Sequence, residues 1–324
     1  MEFGTIVSVS QELFDEADRI EEAGAGERAF ALWRDLASSS PTRNVFLRLA
    51  GCAKDLGLFD DAERAFARAL EIDECSVRAL TGLGTLAIHR RDYEVAAGYL
   101  RRACAVEESP ANFTLLGVAL RNMGKNLEAE ESYQRAIRLD SKYEEAYFNL
   151  GVLLRDDRPS EAQKLFRKAL ELDADYASAH RELGWVLHRR RADPEVELHL
   201  RRAIGLEPKD GWAHIYLGSY LWSIDVDAAV AEFRIAQELE PNWTVPLWSL
   251  GNIHEFVLEN FDLAQSFFER ALQLDPDDVI TLTNFGRLCK KRGQIELAKE
   301  HLGRALLLDP KHDRARTLLA DIAS

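Results

Sequence analysis

The chain has 324 residues, of which 47% are hydrophobic and 30% are charged, and its formal net charge is −14. This composition supplies enough apolar material for a core. The negative net charge disfavours nonspecific binding to nucleic acid or to anionic lipid, because the long-range field repels polyanions. No apolar run approaches the roughly 18 residues of a membrane span, and no signal-peptide pattern precedes the first helical segment. We therefore expect a soluble, cytoplasmic protein.

The first two segments in chain order predict a leader and a polar end. Residues 1–9 lack a helical pattern, which indicates a disordered start or a remnant of cloning. The segment Gln11 to Glu22 that follows is rich in Asp and Glu. We interpret this helix as a solvated cap, because the end unit of a repeat protein needs a polar outer face.

Residues 110–143 set the pattern for the rest of the chain. Apolar residues recur three and four apart on both sides of Gly124, which predicts two helices joined by a tight turn. The skeleton consists of Phe113, Leu116, Gly117, Leu120, Gly124, Ala129, Tyr133 and Ala136. Residues equivalent to Gly117 recur with steps of 33 to 35 at Ala17, Ala50, Gly84, Gly151, Gly184, Gly218, Gly251 and Gly286. Prolines that can end the second helix stand at Pro41, Pro208, Pro241, Pro276 and Pro310.

This skeleton resembles the tetratricopeptide repeat family, which has Leu-Gly in a first helix, then Ala, a large apolar residue, Ala and Pro. The resemblance implies an all-α fold, a right-handed α-solenoid of about nine helical hairpins in a single domain over residues 10–324. The predicted repeats are 10–42, 43–76, 77–109, 110–143, 144–176, 177–210, 211–243, 244–278 and 279–312, with a closing helix over 313–322.

Motifs for catalysis or metal binding are not suggested by the residue spacing. The four cysteines form no CxxC pair, and the sequence has no HExxH, no GxSxG and no phosphate-cradling loop. His180 and His214 occupy equivalent positions in successive repeats, where we expect them to pack in the core with their ring nitrogens bonded locally. The basic runs 189–191 and 290–292 end first helices, where cations offset the helix dipole, although phosphate binding is an alternative. We expect no cofactor, no metal and no enzymatic activity.

Helix geometry indicates which side chains a partner would meet. At about 100° per residue, positions 4, 7, 8 and 11 of each first helix share one arc, and positions 2, 5, 9, 12 and 13 share the opposite arc. The family resemblance implies that the second arc lines a concave groove for peptides or helices. The predicted groove residues are Arg121, Phe148, Arg155, Arg181, Trp185, His188, Arg189, Trp212, Trp222, Trp248, Asn252 and Phe256.

Large aromatic side chains at predicted exposed positions favour a binding surface. An alternative is that neighbouring first helices cover the tryptophans, and that Arg155 and the other arginines pair with acids in the groove. The leading hypothesis is a non-enzymatic scaffold that holds a partner segment with hydrophobic and acidic residues. The competing hypothesis is a regulatory or substrate-recruiting arm of a larger enzyme, in cis or in trans.

Overall fold

The computed structural model describes residues 2–189 and 194–323, and every regular element in these ranges is a helix. The chain forms two compact units, Met1–Leu172 and Asp173–Ser324. Unit 1 contains α1 (Glu2–Glu22), α2 (Gly26–Ser39), α3 (Arg43–Asp55), α4 (Phe59–Ile72), α5 (Val77–His89), α6 (Tyr93–Val106), α7 (Pro110–Asn122), α8 (Asn126–Leu139), α9 (Glu144–Leu154) and α10 (Pro159–Leu172). Unit 2 contains α11 (Ala177–Arg189), α12 (Glu195–Leu206), α13 (Gly211–Leu221), α14 (Val226–Leu239), α15 (Thr244–Phe256), α16 (Phe261–Leu274), α17 (Val279–Lys291), α18 (Ile295–Leu308) and α19 (Asp313–Ala323).

Consecutive helices pair into hairpins, as the tetratricopeptide pattern predicts, so the all-α repeat fold is confirmed. Each odd-numbered helix from α1 to α17 packs on the even-numbered helix that follows it. The proline punctuation is also confirmed, since α12 ends at Leu206 and α14 at Leu239, each two residues before a proline. Proline favours these ends because it lacks the N–H that continues a helix and restricts the residue before it.

A small residue in the first helix and a large one in the second hold each hairpin together. A β-carbon built on Gly117 would lie 2.5 Å from Cε1 of Tyr133, and one built on Gly151 would lie 2.6 Å from Cε1 of Phe166. Tyr133 and Phe166 are both fully buried. The leucine-glycine signature therefore records a close approach between two helices, which a larger residue would obstruct.

Within each unit, several first helices contact the first helix of the next hairpin. In unit 1, α5 contacts α7 and α7 contacts α9; in unit 2, α11 contacts α13, α15 contacts α17 and α17 contacts α19. This neighbour relationship positions the predicted groove residues of one repeat beside those of the next. It also allows one first helix to cover side chains of the preceding first helix.

The predictions for the N-terminal segment need two corrections. Helix α1 begins at Glu2, so residues 2–9 are helical rather than irregular. No proline interrupts residues 2–22, and a helix nucleated in the strongly patterned part extends at little further cost. The acidic residues of α1 also do more than solvate an end. Glu21 accepts a hydrogen bond from Nε1 of buried Trp33 at 2.9 Å, and Asp18 pairs with Arg48.

The single domain over residues 10–324 remains a prediction, since the chain divides into the compact units Met1–Leu172 and Asp173–Ser324. In the basic run 189–191, residues 190 and 191 lie outside the described residues.

The turn inside the third hairpin should be strained at Arg91, where φ is +63°. The turns with positive φ in repeats one, two, four and nine use glycine, at Gly24, Gly57, Gly124 and Gly293, whereas repeat eight has Glu259 with φ +49°. Because left-handed backbone costs an L-residue roughly 1–2 kcal/mol, Arg91→Gly should raise the free energy of unfolding by about 1 kcal/mol in urea denaturation. The reverse change, Gly124→Ala, should lower it by a similar amount. An unchanged or lower stability for Arg91→Gly would contradict this interpretation of the turn.

Candidate protein-interaction surface

In unit 1, the predicted groove residues are partly exposed and partly engaged. Arg121 at the end of α7 is half-buried and has no ion pair within the part of the chain that the structure describes. Phe148 lies beside buried Phe166, with ring centroids 6.0 Å apart. Arg155 pairs with Asp156, with Nε to Oδ2 at 3.7 Å, so it contacts an acidic residue, as the alternative interpretation of the arginines predicts. Arg121 is therefore the more available of the two arginines.

In unit 2, three of the predicted groove residues, Trp185, His188 and Trp212, belong to a ring cluster that also contains Tyr216. Trp185 on α11 stacks on Tyr216 of α13, with ring centroids 4.5 Å apart and an interplanar angle of 16°. Tyr216 also contacts Trp212, and His188 contacts Trp185 at 5.8 Å. Tyr216 belongs to the neighbouring first helix, α13. Trp185 is therefore covered by a neighbouring first helix, as the alternative interpretation of the tryptophans predicts.

The exposure of the four predicted groove tryptophans is unequal. Trp212 remains 40% exposed. Trp185, Trp222 and Trp248 are only partly exposed, and Trp248 packs against the core cluster that contains Phe268 and Phe285. Trp212 is thus the tryptophan of this set that presents most of its ring to a ligand.

Arg181 is committed to acids of its own unit. Its Nη1 donates to Oδ2 of Asp210 at 2.6 Å, and its Nη2 donates to Oε1 of Glu182 at 3.1 Å. Glu182 is buried, and only 18% of the Arg181 side chain is exposed. These two carboxylates raise the pKa of Arg181 even though burial opposes the charged form. Arg181 is therefore paired within unit 2, and its guanidinium is not open to an acidic partner as its predicted place in the groove would require.

Asn252 is likewise turned to the interior, in contrast to its predicted place on the groove. It is 7% exposed, and its Oδ1 accepts a hydrogen bond from Nη2 of Arg287 at 2.7 Å. The same guanidinium donates to both carboxylate oxygens of Glu255, at 3.1 and 2.8 Å, and to Oδ1 of Asn284 at 2.8 Å. Glu255 is fully buried, so α17 closes over this polar cluster of α15.

Phe256 stands at the edge of that cluster and is open to solvent. Its side chain is 50% exposed, and the Arg287 guanidinium carbon lies 4.4 Å from the ring centroid. The Lys291 ammonium lies 5.9 Å from the same centroid and donates to the Glu255 carbonyl oxygen at 3.5 Å. No carboxylate pairs with Lys291 within residues 2–189 and 194–323. Burial and, to a smaller extent, the Arg287 charge lower the pKa of nearby Arg314, whereas the Glu255 charge raises it.

Both histidines bond locally, as predicted, but only His214 is buried and His180 is half-buried. His180 Nδ1 lies 2.8 Å from His199 Nδ1, and its Nε2 lies 3.1 Å from the Ala174 carbonyl oxygen. His214 Nδ1 lies 2.6 Å from Oε2 of Glu232, and this hydrogen bond raises the pKa of His214.

No group of three or more potential metal ligands occurs among the residues that the structure describes. Within the same residues, no helix is long and apolar enough to cross a membrane.

Sequence reasoning missed the residues that connect repeats. An open cleft of about 660 Å³ in unit 2 is lined by the connections before α13 and α15 and includes Trp212 and Trp243. Trp243 lies in the connection before α15, and a helix wheel gives no role to connection residues. The feature of the sequence that could have indicated this cleft is the occurrence of two tryptophans, Trp212 and Trp243, about one repeat apart.

Comparison with known families identifies the class of protein. Models described as "Tetratricopeptide repeat" match residues 258–322 and, in a second case, residues 48–113 and 152–211. A model described as "TPR repeat" matches residues 117–155. The chain belongs to the tetratricopeptide repeat family.

Individual proteins that this chain resembles share 29% sequence identity with it or less. Human "Protein O-mannosyl-transferase TMTC1" is 29% identical over 228 residues, which cover 68% of this chain and 26% of that protein. The chain thus spans about a quarter of that relative's length. The crystal structure of the APC/C hetero-tetramer Cut9-Hcn1 has a TM-score of 0.67 at 18% identity and covers 92% of this chain and 59% of its own. YrrB, described as a TPR protein with an unusual peptide-binding site, gives a TM-score of 0.44 at 22% identity, covering 56% of this chain and 95% of its own.

Proposed function

We propose that this chain is a non-enzymatic protein-interaction scaffold whose first helices in unit 2 bind a segment of a partner protein. The preferred segment carries hydrophobic residues beside Asp or Glu. One observation carries this proposal: exposed Phe256 stands beside the Lys291 ammonium, which has no carboxylate partner in the described part of the chain. An aromatic ring with a cation next to it suits an apolar side chain followed by a carboxylate.

The surrounding residues support the same chemistry. Val257 and Leu258 continue the apolar surface and are 43% and 47% exposed. Contiguous exposed apolar residues rimmed by charge are typical of interaction sites. Arg287 is neutralised by Glu255, so Lys291 and Arg314 supply the charge for an acidic partner. The proposed groove also includes the partly exposed Trp222 and Trp248 of unit 2, and the partly exposed Arg121 and Phe148 of unit 1.

A peptide-selection experiment on the full chain tests the proposal. Random 12-residue peptides selected on the folded protein should be enriched in hydrophobic residues adjacent to Asp or Glu. Phe256→Ala should weaken binding of a selected peptide by about 2 kcal/mol or more, as expected for an aromatic anchor. Lys291→Glu should weaken it and should reduce its salt dependence.

Lys311→Glu is the matched control, because it makes the same charge change on an exposed residue of the connection before α19. Circular dichroism should first establish that all variants are folded. Equal losses for Lys291→Glu and Lys311→Glu would mean that net charge, and not this surface, controls binding. Selected peptides without acidic residues would contradict the proposed specificity.

A second candidate is a substrate-recruiting arm that serves a catalytic domain. The observation that favours it is the similarity to part of a protein named as an O-mannosyl-transferase. In that case, the surface at Phe256 and Lys291 would bind a substrate segment. Adding the folded chain in trans to a candidate transferase should then lower KM for substrates that carry the selected peptide, and Lys291→Glu should remove this effect.

A further inference from the structure

We propose that the cleft between Trp212 and Trp243 is a second binding site, and that it takes a lysine or arginine side chain of a protein partner. The cleft has a volume of about 660 Å³ and lies between two successive inter-repeat connections of unit 2. This cleft is distinct from the surface at Phe256, because other residues form it and its ligand would have the opposite charge. Either proposal can fail while the other stands.

The two tryptophans form an open aromatic corner. Their ring centroids are 5.0 Å apart and their planes meet at 44°. Gly211 makes this close approach possible, since a β-carbon there would lie 3.2 Å from Cζ3 of Trp243. Trp212 remains 40% exposed. Trp faces attract cations more strongly than the other aromatic side chains do.

No cation of the protein occupies this corner in the ranges 2–189 and 194–323. Other exposed or partly exposed aromatic rings do have one, such as Phe256 under Arg287 and Phe261 near Lys291. Neither Trp212 nor Trp243 has an Arg or Lys over its ring in those ranges. The tryptophan faces are thus available to an external cation.

The charges that line the cleft favour a cation as well. The Arg181 guanidinium is neutralised by Asp210, with Nη1 to Oδ2 at 2.6 Å. Glu207 and Glu240 also line the cleft, and their carboxylates have no hydrogen-bond or ion-pair partner in the described part of the chain. Lys209 is the single uncommitted cation of the lining, so two free carboxylates face one free ammonium.

The start of α13 does not provide an anion site. Oδ1 of Asp210 accepts hydrogen bonds from the backbone N–H groups of Trp212 at 3.0 Å and Ala213 at 3.3 Å. These are the donors with which a helix N-terminus would bind an anion, and they are already used. An acidic ligand would also meet Glu207 and Glu240, which would repel it.

The size of the cleft distinguishes a protein side chain from a small free amine. The cleft has a volume of about 660 Å³ and is open to solvent. A free ammonium ion or a methylamine would fill a small part of this space. A lysine or arginine side chain with its flanking backbone fills more of it and buries its methylene groups against the rings.

Nuclear magnetic resonance of the full chain offers a direct test, because the sequence contains six tryptophans and therefore six indole N–H signals. Substitutions Trp212→Phe and Trp243→Phe would assign the two relevant signals. The probes are the peptides Ac-Ala-Lys-Ala-NH₂ and Ac-Ala-Arg-Ala-NH₂, with norleucine and Glu analogues and free methylammonium as comparisons.

We expect the Lys and Arg peptides to shift the Trp212 and Trp243 signals in a saturable, salt-dependent manner. The norleucine peptide should bind roughly 3- to 30-fold more weakly, the range that a cation–π contact supplies, and methylammonium more weakly than the Lys peptide. Trp212→Ala should remove the response. Equal affinity for the Lys and norleucine peptides, tighter binding of the Glu peptide, or tighter binding of methylammonium would overturn the proposal.

Charge variants test the site without disturbing the aromatic corner. Glu240→Gln and Glu207→Gln should each weaken the Lys peptide several-fold, because each removes one carboxylate from the cleft. Glu238→Gln is the matched control, since this exposed carboxylate lies two residues from Glu240 and does not line the cleft. A loss for Glu238→Gln equal to that for Glu240→Gln would also overturn the proposal. Phe256→Ala should leave this binding unchanged, which separates a failure here from a failure of the surface at Phe256.

Discussion

Replacing Glu255 with alanine is expected to lower the free energy of unfolding by about 3–5 kcal/mol, because it leaves a buried guanidinium without its counter-ion. Glu255 is fully buried, and the Arg287 side chain is 11% exposed. The guanidinium donates to both carboxylate oxygens, and its other described acceptors are the neutral amide oxygens of Asn252 and Asn284. Neither amide can compensate the positive charge.

The measurement is urea unfolding followed by circular dichroism, with comparison of the midpoint at constant slope. Glu296→Ala is the control, because Glu296 pairs with Lys299 at 3.0 Å on the surface, where their side chains are 86% and 45% exposed. An exposed pair of this kind contributes about 0–1 kcal/mol. A loss below 1 kcal/mol for Glu255→Ala would show that solvent reaches Arg287 in solution.

A double substitution distinguishes the lost pair from other damage. Glu255→Leu with Arg287→Met removes both charges while it keeps apolar volume, and such replacements are often neutral or stabilising. The double variant should therefore be more stable than Glu255→Ala. If it is as unstable as the single variant, the packing of α15 on α17 and not the charge is what Glu255 maintains.

The sequence was sufficient to predict the hairpins, because each repeat restates the same short-range rule. The spacing of Leu116, Gly117, Ala129 and Tyr133 fixes two helix faces and the point where they meet, and the structure has Gly117 against Tyr133. Nearly every repeat shows the same spacing of small and large apolar residues. The strength of the periodicity thus comes from local geometry that the sequence encodes directly.

The side chains between repeats could not be predicted in the same way. A helix wheel places Trp185, Trp212 and Asn252 on one arc, yet Asn252 is buried and Trp212 is 40% exposed. The difference depends on the neighbouring first helix, which supplies Tyr216 to stack on Trp185 and Arg287 to bond Asn252. These partners lie about one repeat further along the chain, and their reach depends on how two hairpins pack. The periodicity of a single helix contains no information about that packing.

The last prediction concerns the close contact inside a single hairpin. Gly184→Val should destabilise the sixth repeat by on the order of 1–3 kcal/mol through overpacking. A β-carbon on Gly184 would lie 2.7 Å from Cγ and 2.8 Å from Cδ2 of Leu200, which is itself fully buried. Because both atoms belong to a packed core side chain, α11 and α12 must move apart to admit the substitution.

Gly205→Ala on α12 provides the matched control. No heavy atom lies within 4 Å of a β-carbon at Gly205, so this change should stabilise the helix by roughly 0.5–1 kcal/mol. The change in the free energy of unfolding should have opposite signs for these two glycines of one hairpin. This difference would separate the steric contact at Gly184 from the general effect of replacing glycine. Urea unfolding of both variants measures the two signs.

A double-mutant cycle with Leu200→Ala then tests the named contact. The cost of Gly184→Ala should fall toward zero in the Leu200→Ala background, since the obstructing atoms are gone. Hydrogen exchange should rise in α11 and α12 and remain unchanged in α3 and α4, because each repeat contacts chiefly its neighbours. An equal rise in α3 and α4, or the same cost of Gly184→Ala in both backgrounds, would mean that the substitution acts by a route other than the contact between Gly184 and Leu200.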